Sequence, residues 1–144
     1  AYLIGDDFYN YSSGFESTVA YSTAGGYDRA YFHDSAGNDM LRSAPTWAYL
    51  KGDGFYNYAK GFDYTSAYAT AGGYDLAYFY DSVADDTLRA APTWAYLEGD
   101  GFYNYAAGFD RTITSATVGG YDRAIFYDPD GDYILQYLSL IHIE

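Results

Sequence analysis

The chain lacks cysteine altogether, and proline, methionine and basic residues are rare: 3 Pro, 1 Met and 7 Lys plus Arg among 144 residues. Without cysteine, disulfide bonds, thiolate metal sites and a thiol nucleophile are excluded. No apolar run reaches the roughly 18 residues that a membrane-spanning helix needs. The sequence therefore predicts no membrane insertion and no covalent cross-links.

Positive charge is also scarce, because 20 acidic residues outweigh the 7 basic ones and give a formal net charge of −13. Nucleic acids and anionic membrane surfaces both attract proteins through positive charge. We therefore expect no nucleic-acid partner. Cations, glycans and surface proteins remain as candidate partners.

Tyrosine and glycine are abundant, at 21 and 16 residues, whereas Leu, Ile, Val and Met are few. Tyrosine is a good strand former and glycine supplies turns, while a helical core needs the aliphatic residues that are scarce here. This composition predicts an all-β fold.

An internal repeat organises the chain. Gly5, Gly52 and Gly99 begin three units spaced 47 residues apart, and units one and two are identical at 32 of 47 positions. The units span 5–51, 52–98 and 99–144, so residues 1–144 form one repeat array. Residues 133–144 depart from the repeat and are either a divergent cap or an artefactual tail. Ala1 matches Ala48, in mid-repeat, so we expect a fragment of a longer protein.

Strand-like segments recur about every ten residues within each unit, as all-β folds require. In unit two we predict the following strands: Phe55–Tyr58, Tyr64–Ala69, Leu76–Tyr80, Thr87–Ala91 and Trp94–Leu97. Alternation within the third strand predicts that Ala77 and Phe79 point inward.

Two architectures are compatible with a 47-residue all-β repeat: a β-solenoid and an array of kelch-like β-propeller blades. The kelch tryptophan position is occupied by leucine, and three units are too few to close a propeller ring. The pattern therefore favours a β-solenoid built from three 47-residue repeats. Its coils are expected to align residues 47 apart in columns.

Four segments of unit two carry a resemblance to a known class: Gly61–Asp63, Ala67–Asp75, Tyr80–Ser82 and Asp85–Leu88. With them, the chain up to Asp132 resembles tandem repeats of long bacterial surface proteins of planctomycete type. The last segment is also distantly similar to RTX-type calcium repeats, although their nine-residue glycine period is missing. The resemblance implies a secreted or cell-surface β-rich array and assigns no catalytic residues.

Acidic turns recur in every unit, and short Asp-rich turns can supply the oxygen ligands that Ca²⁺ prefers. The candidate calcium ligands are Asp34, Asp39, Asp81, Asp85, Asp86, Asp128, Asp130 and Asp132. The alternative is that these side chains satisfy backbone N–H groups of the turns.

Tyrosines also recur at the repeat spacing, and exposed rings can stack on sugars or partner chains. The candidate ligand-binding residues are Tyr9, Tyr56, Tyr103, Tyr27, Tyr74 and Tyr121. The alternative is that each ring packs on its copy in the next coil. Asn10, Asn57 and Asn104 are expected to form an internal asparagine ladder.

No arrangement of residues predicts an enzyme, since His33 is replaced by tyrosine in the other two units. We interpret the chain as a structural segment of an extracellular or cell-surface protein (a stalk, coat or filament). Calcium stiffening, adhesion and self-association through the repeat ends are further expectations. A carbohydrate- or protein-binding module that uses tyrosine faces is the alternative function.

Overall fold

A computed structural model describes residues 2–5 and 8–131, and the backbone of residues 133–136. The described chain is all-β, with fifteen strands. They are β1 Tyr2–Gly5, β2 Phe8–Tyr11, β3 Ser17–Tyr21, β4 Arg29–His33, β5 Met40–Ala44, β6 Trp47–Gly52, β7 Phe55–Lys60, β8 Tyr64–Tyr68, β9 Leu76–Tyr80, β10 Thr87–Ala91, β11 Trp94–Gly99, β12 Phe102–Ala107, β13 Arg111–Ser115, β14 Arg123–Tyr127 and β15 Tyr133–Gln136.

All five strands predicted for unit two are present, with ends shifted by at most two residues. Turns rich in glycine and aspartate separate most of these strands. Glycine accepts the positive φ values that tight turns need, and an aspartate side chain can hydrogen-bond to the turn backbone. Pro45 lies in the two-residue turn between β5 and β6, where a missing backbone N–H interrupts no ladder.

The strands form two sheets. The large sheet has the order β15-β14-β10-β11-β12-β8-β4-β1-β2, and the small sheet has the order β13-β9-β5-β6-β7-β3. The chain passes repeatedly between them, so that strands from successive coils pair in parallel, as β4 does with β8. The predicted β-solenoid is confirmed, with about three turns, and the propeller alternative is wrong.

The expected columns of residues 47 apart are absent from the described chain. Unit two crosses between the sheets three times, at 61–63, 69–75 and 81–86, so unit three begins on the opposite sheet. Strand β7 therefore lies in the small sheet and its copy β12 in the large sheet.

Neighbouring coils are instead offset by shorter distances along the chain. Arg29 pairs with Tyr64, 35 residues on, whereas Tyr64 pairs with Tyr103, 39 residues on. The difference from 47 arises because two three-stranded antiparallel meanders, β5-β6-β7 and β10-β11-β12, each span a unit boundary and step back along the solenoid axis.

The core lies between the two sheets and consists mainly of small and aromatic side chains. Ala77 and Phe79 are buried as predicted, and so are their counterparts Ala30 and Phe32. Their copies in unit three are only partly buried. Alanine lets the sheets approach closely, and phenylalanine fills the remaining width.

The last described strand departs from the repeat. β15 pairs antiparallel with β14 at the end of the large sheet, where the pattern of earlier units would place a parallel strand. In the described ranges, no helix has the length and apolarity needed to cross a bilayer.

Candidate functional site

The two edges of the solenoid, where the chain crosses between sheets, carry most of the acidic side chains. At the first edge the chain passes from the large to the small sheet, through residues 12–16, 34–39, 69–75 and 108–110. At the second edge it returns, through residues 22–28, 61–63, 81–86 and 116–122. The acidic residues that recur in each unit therefore lie on both edges of the solenoid.

A ladder of aspartates joins successive coils at the first edge. The backbone N–H of Asp39 donates to Oδ1 of Asp75 at 2.8 Å, and the N–H of Asp75 donates to Oδ2 of Asp110 at 2.7 Å. In return, the backbone carbonyl of Asp39 accepts from the N–H of Leu76 at 2.9 Å. Each rung thus combines a main-chain hydrogen bond with a stronger, charge-assisted one.

The second edge repeats this arrangement. The N–H of Asp28 donates to Oδ2 of Asp63 at 2.9 Å, and the N–H of Asp86 donates to Oδ1 of Asp122 at 3.1 Å. Aspartates 35 or 36 residues apart are therefore tied together on both edges.

A second set of carboxylates receives pairs of backbone N–H groups from the next coil. Oδ2 of Asp34 accepts from Thr70 and Ala71, each at 2.8 Å. Oδ2 of Asp81 accepts from Thr117 and Val118, at 2.7 and 2.8 Å. One carboxylate oxygen thus satisfies two main-chain donors that the glycine turn would otherwise leave unpaired.

Burial raises the pKa of two of these carboxylates, Asp75 and Asp122. Desolvation by burial raises the pKa of Asp75, and the neighbouring Asp39, Asp34 and Asp110 carboxylates raise it further. The N–H of Asp39 acts in the opposite direction by stabilising the charged form.

The pKa of Asp122 is raised in the same way. Burial is again the largest cause, and the Asp86, Asp81 and Asp85 carboxylates add to it. The ladder therefore holds like charges together, and its hydrogen bonds offset part of that repulsion.

The aspartates predicted as calcium ligands are distributed over loops at different places on the solenoid. Asp34 and Asp39 are on the first edge, Asp81, Asp85 and Asp86 are on the second, and Asp132 is outside the described residues. Asp128 and Asp130 share the turn after β14, where the N–H of Asp130 donates to Oδ1 of Asp128 at 3.1 Å.

No group of three or more acidic or histidine side chains in the described part of the chain converges as a metal site. Backbone N–H groups occupy most of these carboxylates, including Asp85, which accepts from Tyr121 at 2.7 Å. These carboxylates therefore accept hydrogen bonds from backbone N–H groups of turns, and most of those turns belong to the next coil. Calcium binding stays a prediction without a ligand set among the described residues.

The predicted ligand-binding tyrosines fall into two groups. Tyr27, Tyr74 and Tyr121 are exposed on the crossing loops. Tyr9 and Tyr103 lie on the outer face of the large sheet, but Tyr56 lies on the small sheet. The second set is therefore not one column, and stacking of each ring on its 47-residue copy is wrong.

Aromatic rings do form continuous rows, but between different repeat positions. On the large sheet, Tyr103 stacks on Tyr64 at 5.2 Å and on Tyr96 at 4.8 Å between ring centroids. Burial among these rings raises the pKa of Tyr103. His33 stacks on Tyr68 at 5.4 Å and contacts Tyr2 edge-on at 5.4 Å, so it is a member of a ring row.

The small sheet carries a similar row on its outer face. Successive centroid distances along it lie between 5.3 and 6.5 Å. Its members, in order across the sheet, are Tyr21, Tyr58, Tyr56, Tyr49, Trp47 and Tyr80.

The asparagine ladder is also wrong. Asn10 is exposed on β2, Asn57 is half-buried on the other sheet, and only Asn104 is buried. Its Nδ2 donates to the backbone carbonyl of Ala44 across the core, at 3.0 Å.

Acidic residues lie mainly in the loops and turns, whereas basic residues lie on the faces of the sheets. The net charge of −13 does not reveal this separation. All seven basic residues lie in strands at positions that alternate with the core: Arg29, Arg42, Lys51, Lys60, Arg89, Arg111 and Arg123. Of the acidic residues that the structure describes, only Glu98 lies in a strand.

Two of the basic residues contact tyrosines on the outer faces. Arg42 lies over the ring of Tyr78 at 5.3 Å, and Nη1 of Arg89 donates to the Tyr127 hydroxyl at 2.8 Å. Six of the seven basic residues have an alanine or leucine beside them in the strand, Arg111 being the exception, and this alternation would have revealed the placement from the sequence.

Comparisons with protein-family models, with curated proteins and with solved structures give no significant match. Functional inference therefore depends on the geometry of the edges and faces.

Proposed function

We propose that the chain is a structural segment of a secreted or cell-surface protein, such as a stalk, coat or filament. The observation that carries this proposal is the hydrogen-bonded aspartate ladder on both edges. In this ladder the polar side chains of the edges hydrogen-bond one coil to the next, as in Asp39, Asp75 and Asp110.

The ladder supports a load-bearing role for a physical reason. Hydrogen bonds to charged groups each contribute about 1.5–3 kcal/mol, more than neutral ones. Here they lie beside the main-chain bonds of parallel strands such as β4 and β8, so separating two coils requires breaking both sets together. Stability of such arrays arises mainly between nearest neighbours.

A pulling experiment tests the structural role. The chain is placed between two marker domains of known unfolding force and stretched in a single-molecule instrument. We expect unfolding forces at or above those of the markers, and lower forces for the Asp75→Ala chain. A chain that extends well below the marker force, with no effect of that substitution, would contradict the proposal.

A binding module is the second candidate, and the sorting of charge onto the faces favours it. Exposed tyrosine rings with arginine among them suit the recognition of sugar rings, including acidic sugars. Adhesion by the cell-surface segment would use this same surface.

Glycan binding is tested on an array of neutral and acidic oligosaccharides. The informative variant is Tyr9→Ala, because Tyr9 is 60% exposed and belongs to the ring rows through Tyr2. Val83→Ala is the control, since Val83 is exposed but lies on a crossing loop. Binding that Tyr9→Ala weakens and Val83→Ala does not would favour the module, whereas absence of binding would remove it.

A further inference from the structure

The small sheet carries positive charge on a strongly acidic protein. Four of the seven basic residues lie in its strands: Arg42, Lys51, Lys60 and Arg111. None of its six described strands contains an acidic residue, although the net charge of the chain is −13. The outer face of this sheet therefore complements a negatively charged ligand.

Three of these cations lie beside aromatic rings in the meander β5-β6-β7. Each cation is the direct cross-strand partner of one ring: Arg42 of Tyr49, Lys51 of Tyr56 and Lys60 of Trp47. All six side chains alternate with more deeply buried residues along their strands, so they lie on the outer face. We call these three pairs the basic–aromatic cluster.

The rings of this cluster recur 47 residues later on the opposite face of the solenoid. The centroids of Trp47 and Tyr49 are 5.9 Å apart, with an interplanar angle of 11°. Those of Trp94 and Tyr96, on the large sheet, are 5.8 Å apart with an angle of 14°. The protein therefore presents the same stacked pair on both faces.

The charges beside the rings differ between the two faces. In the large-sheet copy one cation is kept and two are lost, because Arg42, Lys51 and Lys60 correspond to Arg89, Glu98 and Ala107. The replacements lie beside the same rings, since Glu98 pairs with Tyr103 and Ala107 with Trp94. The cluster and its copy thus form a matched pair that differs mainly in charge.

An acidic polysaccharide suits the cluster better than other polyanions do. Aromatic rings pack against sugar rings, and ammonium and guanidinium groups donate to carboxylates. Crossing loops with most of the acidic residues bound the face on both sides. These loops repel a densely charged nucleic acid, whereas a narrow chain of sugars with one carboxylate each fits between them.

We infer that the basic–aromatic cluster binds an acidic polysaccharide. Sugar rings pack on its three aromatic side chains, and its three cations donate to the carboxylates. The large-sheet copy lacks two of the cations and binds the same ligand weakly. The inference rests on the binding module proposed above, for which it names the ligand class and the position.

Calorimetric titration of the full chain with an oligomer of galacturonic acid tests the inference, and the methyl ester of that oligomer is the uncharged control. We expect one site per chain for the acid. The ester should bind about tenfold more weakly or less, which corresponds to about 1.4 kcal/mol. Added salt should weaken binding of the acid alone. Equal affinity for acid and ester would overturn the inference.

Two double variants exchange the charges of the cluster and its copy. Lys51→Glu with Lys60→Ala gives the small sheet the residues of the copy, and we expect about tenfold weaker binding. Glu98→Lys with Ala107→Lys gives the large sheet the residues of the cluster, and we expect a second site per chain. Melting curves confirm that both variants fold. Binding that neither exchange alters would overturn the inference.

Further results separate the inference from the binding module. Tyr9 lies on the large sheet, so Tyr9→Ala should leave binding of the acid oligomer unchanged. Loss of that binding in Tyr9→Ala would overturn the inference and leave the module intact. A chain that binds no oligosaccharide, charged or neutral, would remove both.

Two controls address other occupants of the cluster. A single-stranded DNA oligomer that binds as tightly as the acid oligomer would assign the cluster to nucleic acid and overturn the inference. Self-association of the free chain that Lys51→Glu with Lys60→Ala abolishes would assign it to the acidic loops of a second copy, with the same consequence. Sedimentation velocity measures that association.

Discussion

The backbone N–H of Asp39 donates to the Asp75 carboxylate at 2.8 Å, although the two residues are 36 apart in the chain. Asp75→Ala would leave that buried N–H without an acceptor, and we expect a loss of about 1.5–3 kcal/mol in the free energy of unfolding. Chemical denaturation followed by circular dichroism measures it.

Asp75→Asn is the informative companion. The amide keeps an oxygen that can accept from the Asp39 N–H, and it removes a desolvated negative charge. We expect stability within about 0.5 kcal/mol of the parent, or above it. Asp53→Ala, in an exposed turn, should likewise have little effect. Equal losses for all three substitutions would contradict a specific role for the ladder.

The contribution of Asp75 and Asp122 to stability should rise as the pH falls from neutral toward the ordinary carboxyl pKa of about 4. The pKa values of Asp75 and Asp122 are raised in the folded chain, so the folded state binds these protons more tightly than the unfolded state. Their stabilising contribution is complete below the ordinary carboxyl pKa and disappears as the pH rises through the raised values.

Melting temperatures across this pH range measure the effect. The double variant Asp75→Asn, Asp122→Asn should show a flatter pH dependence than the parent. An unchanged dependence would show that other carboxylates are responsible.

Alanine substitutions at two glycines distinguish the cost of backbone strain from the cost of a steric clash between coils. Gly14 and Gly108 have φ values of 73° and 80°, so alanine at either position costs about 1–2 kcal/mol for the left-handed backbone. A Cβ at Gly108 would also clash with the Ala69 carbonyl, whereas one at Gly14 meets nothing within 4 Å.

Gly108→Ala is therefore expected to lose about 1–3 kcal/mol more than Gly14→Ala. Equilibrium denaturation of the two variants gives the difference directly. Equal losses would indicate that the coils separate to accept the methyl group.

A substitution at Asn104 measures how much its buried hydrogen bond to the Ala44 carbonyl contributes to stability. Asn104→Ala removes the donor to the Ala44 carbonyl, and leaving a buried acceptor unpaired costs about 1–3 kcal/mol. Asn10→Ala, on an exposed edge strand, should change stability by less than about 0.5 kcal/mol. Thermal unfolding of both variants decides whether burial makes the difference.

Much of the architecture could be predicted because its signals are local. Alternation placed Ala77 and Phe79 in the core, and glycine, acidic and proline turns delimited the strands of unit two. These features depend on the period of two along a strand and on the turn preferences of single residues.

The candidate site was only half predictable. The repeated aspartates were recognisable, and so was their capacity to satisfy turn N–H groups. Their partners could not be assigned, because a residue that bonds 36 positions away is determined by how far each coil advances. The back-stepping meander controls that advance, and no single residue encodes it.

The sequence by itself determined that this protein is a three-unit β-array with acidic turns and tyrosine-rich strands, because composition and a 47-residue period are properties of the chain alone. Only the tertiary structure decided which residues meet. Units one and two each make three crossings, an odd number, and this puts each copy on the opposite sheet from the one before it. This parity separated the tyrosine and asparagine copies, and the advance of each coil joined aspartates 35 or 36 residues apart into ladders.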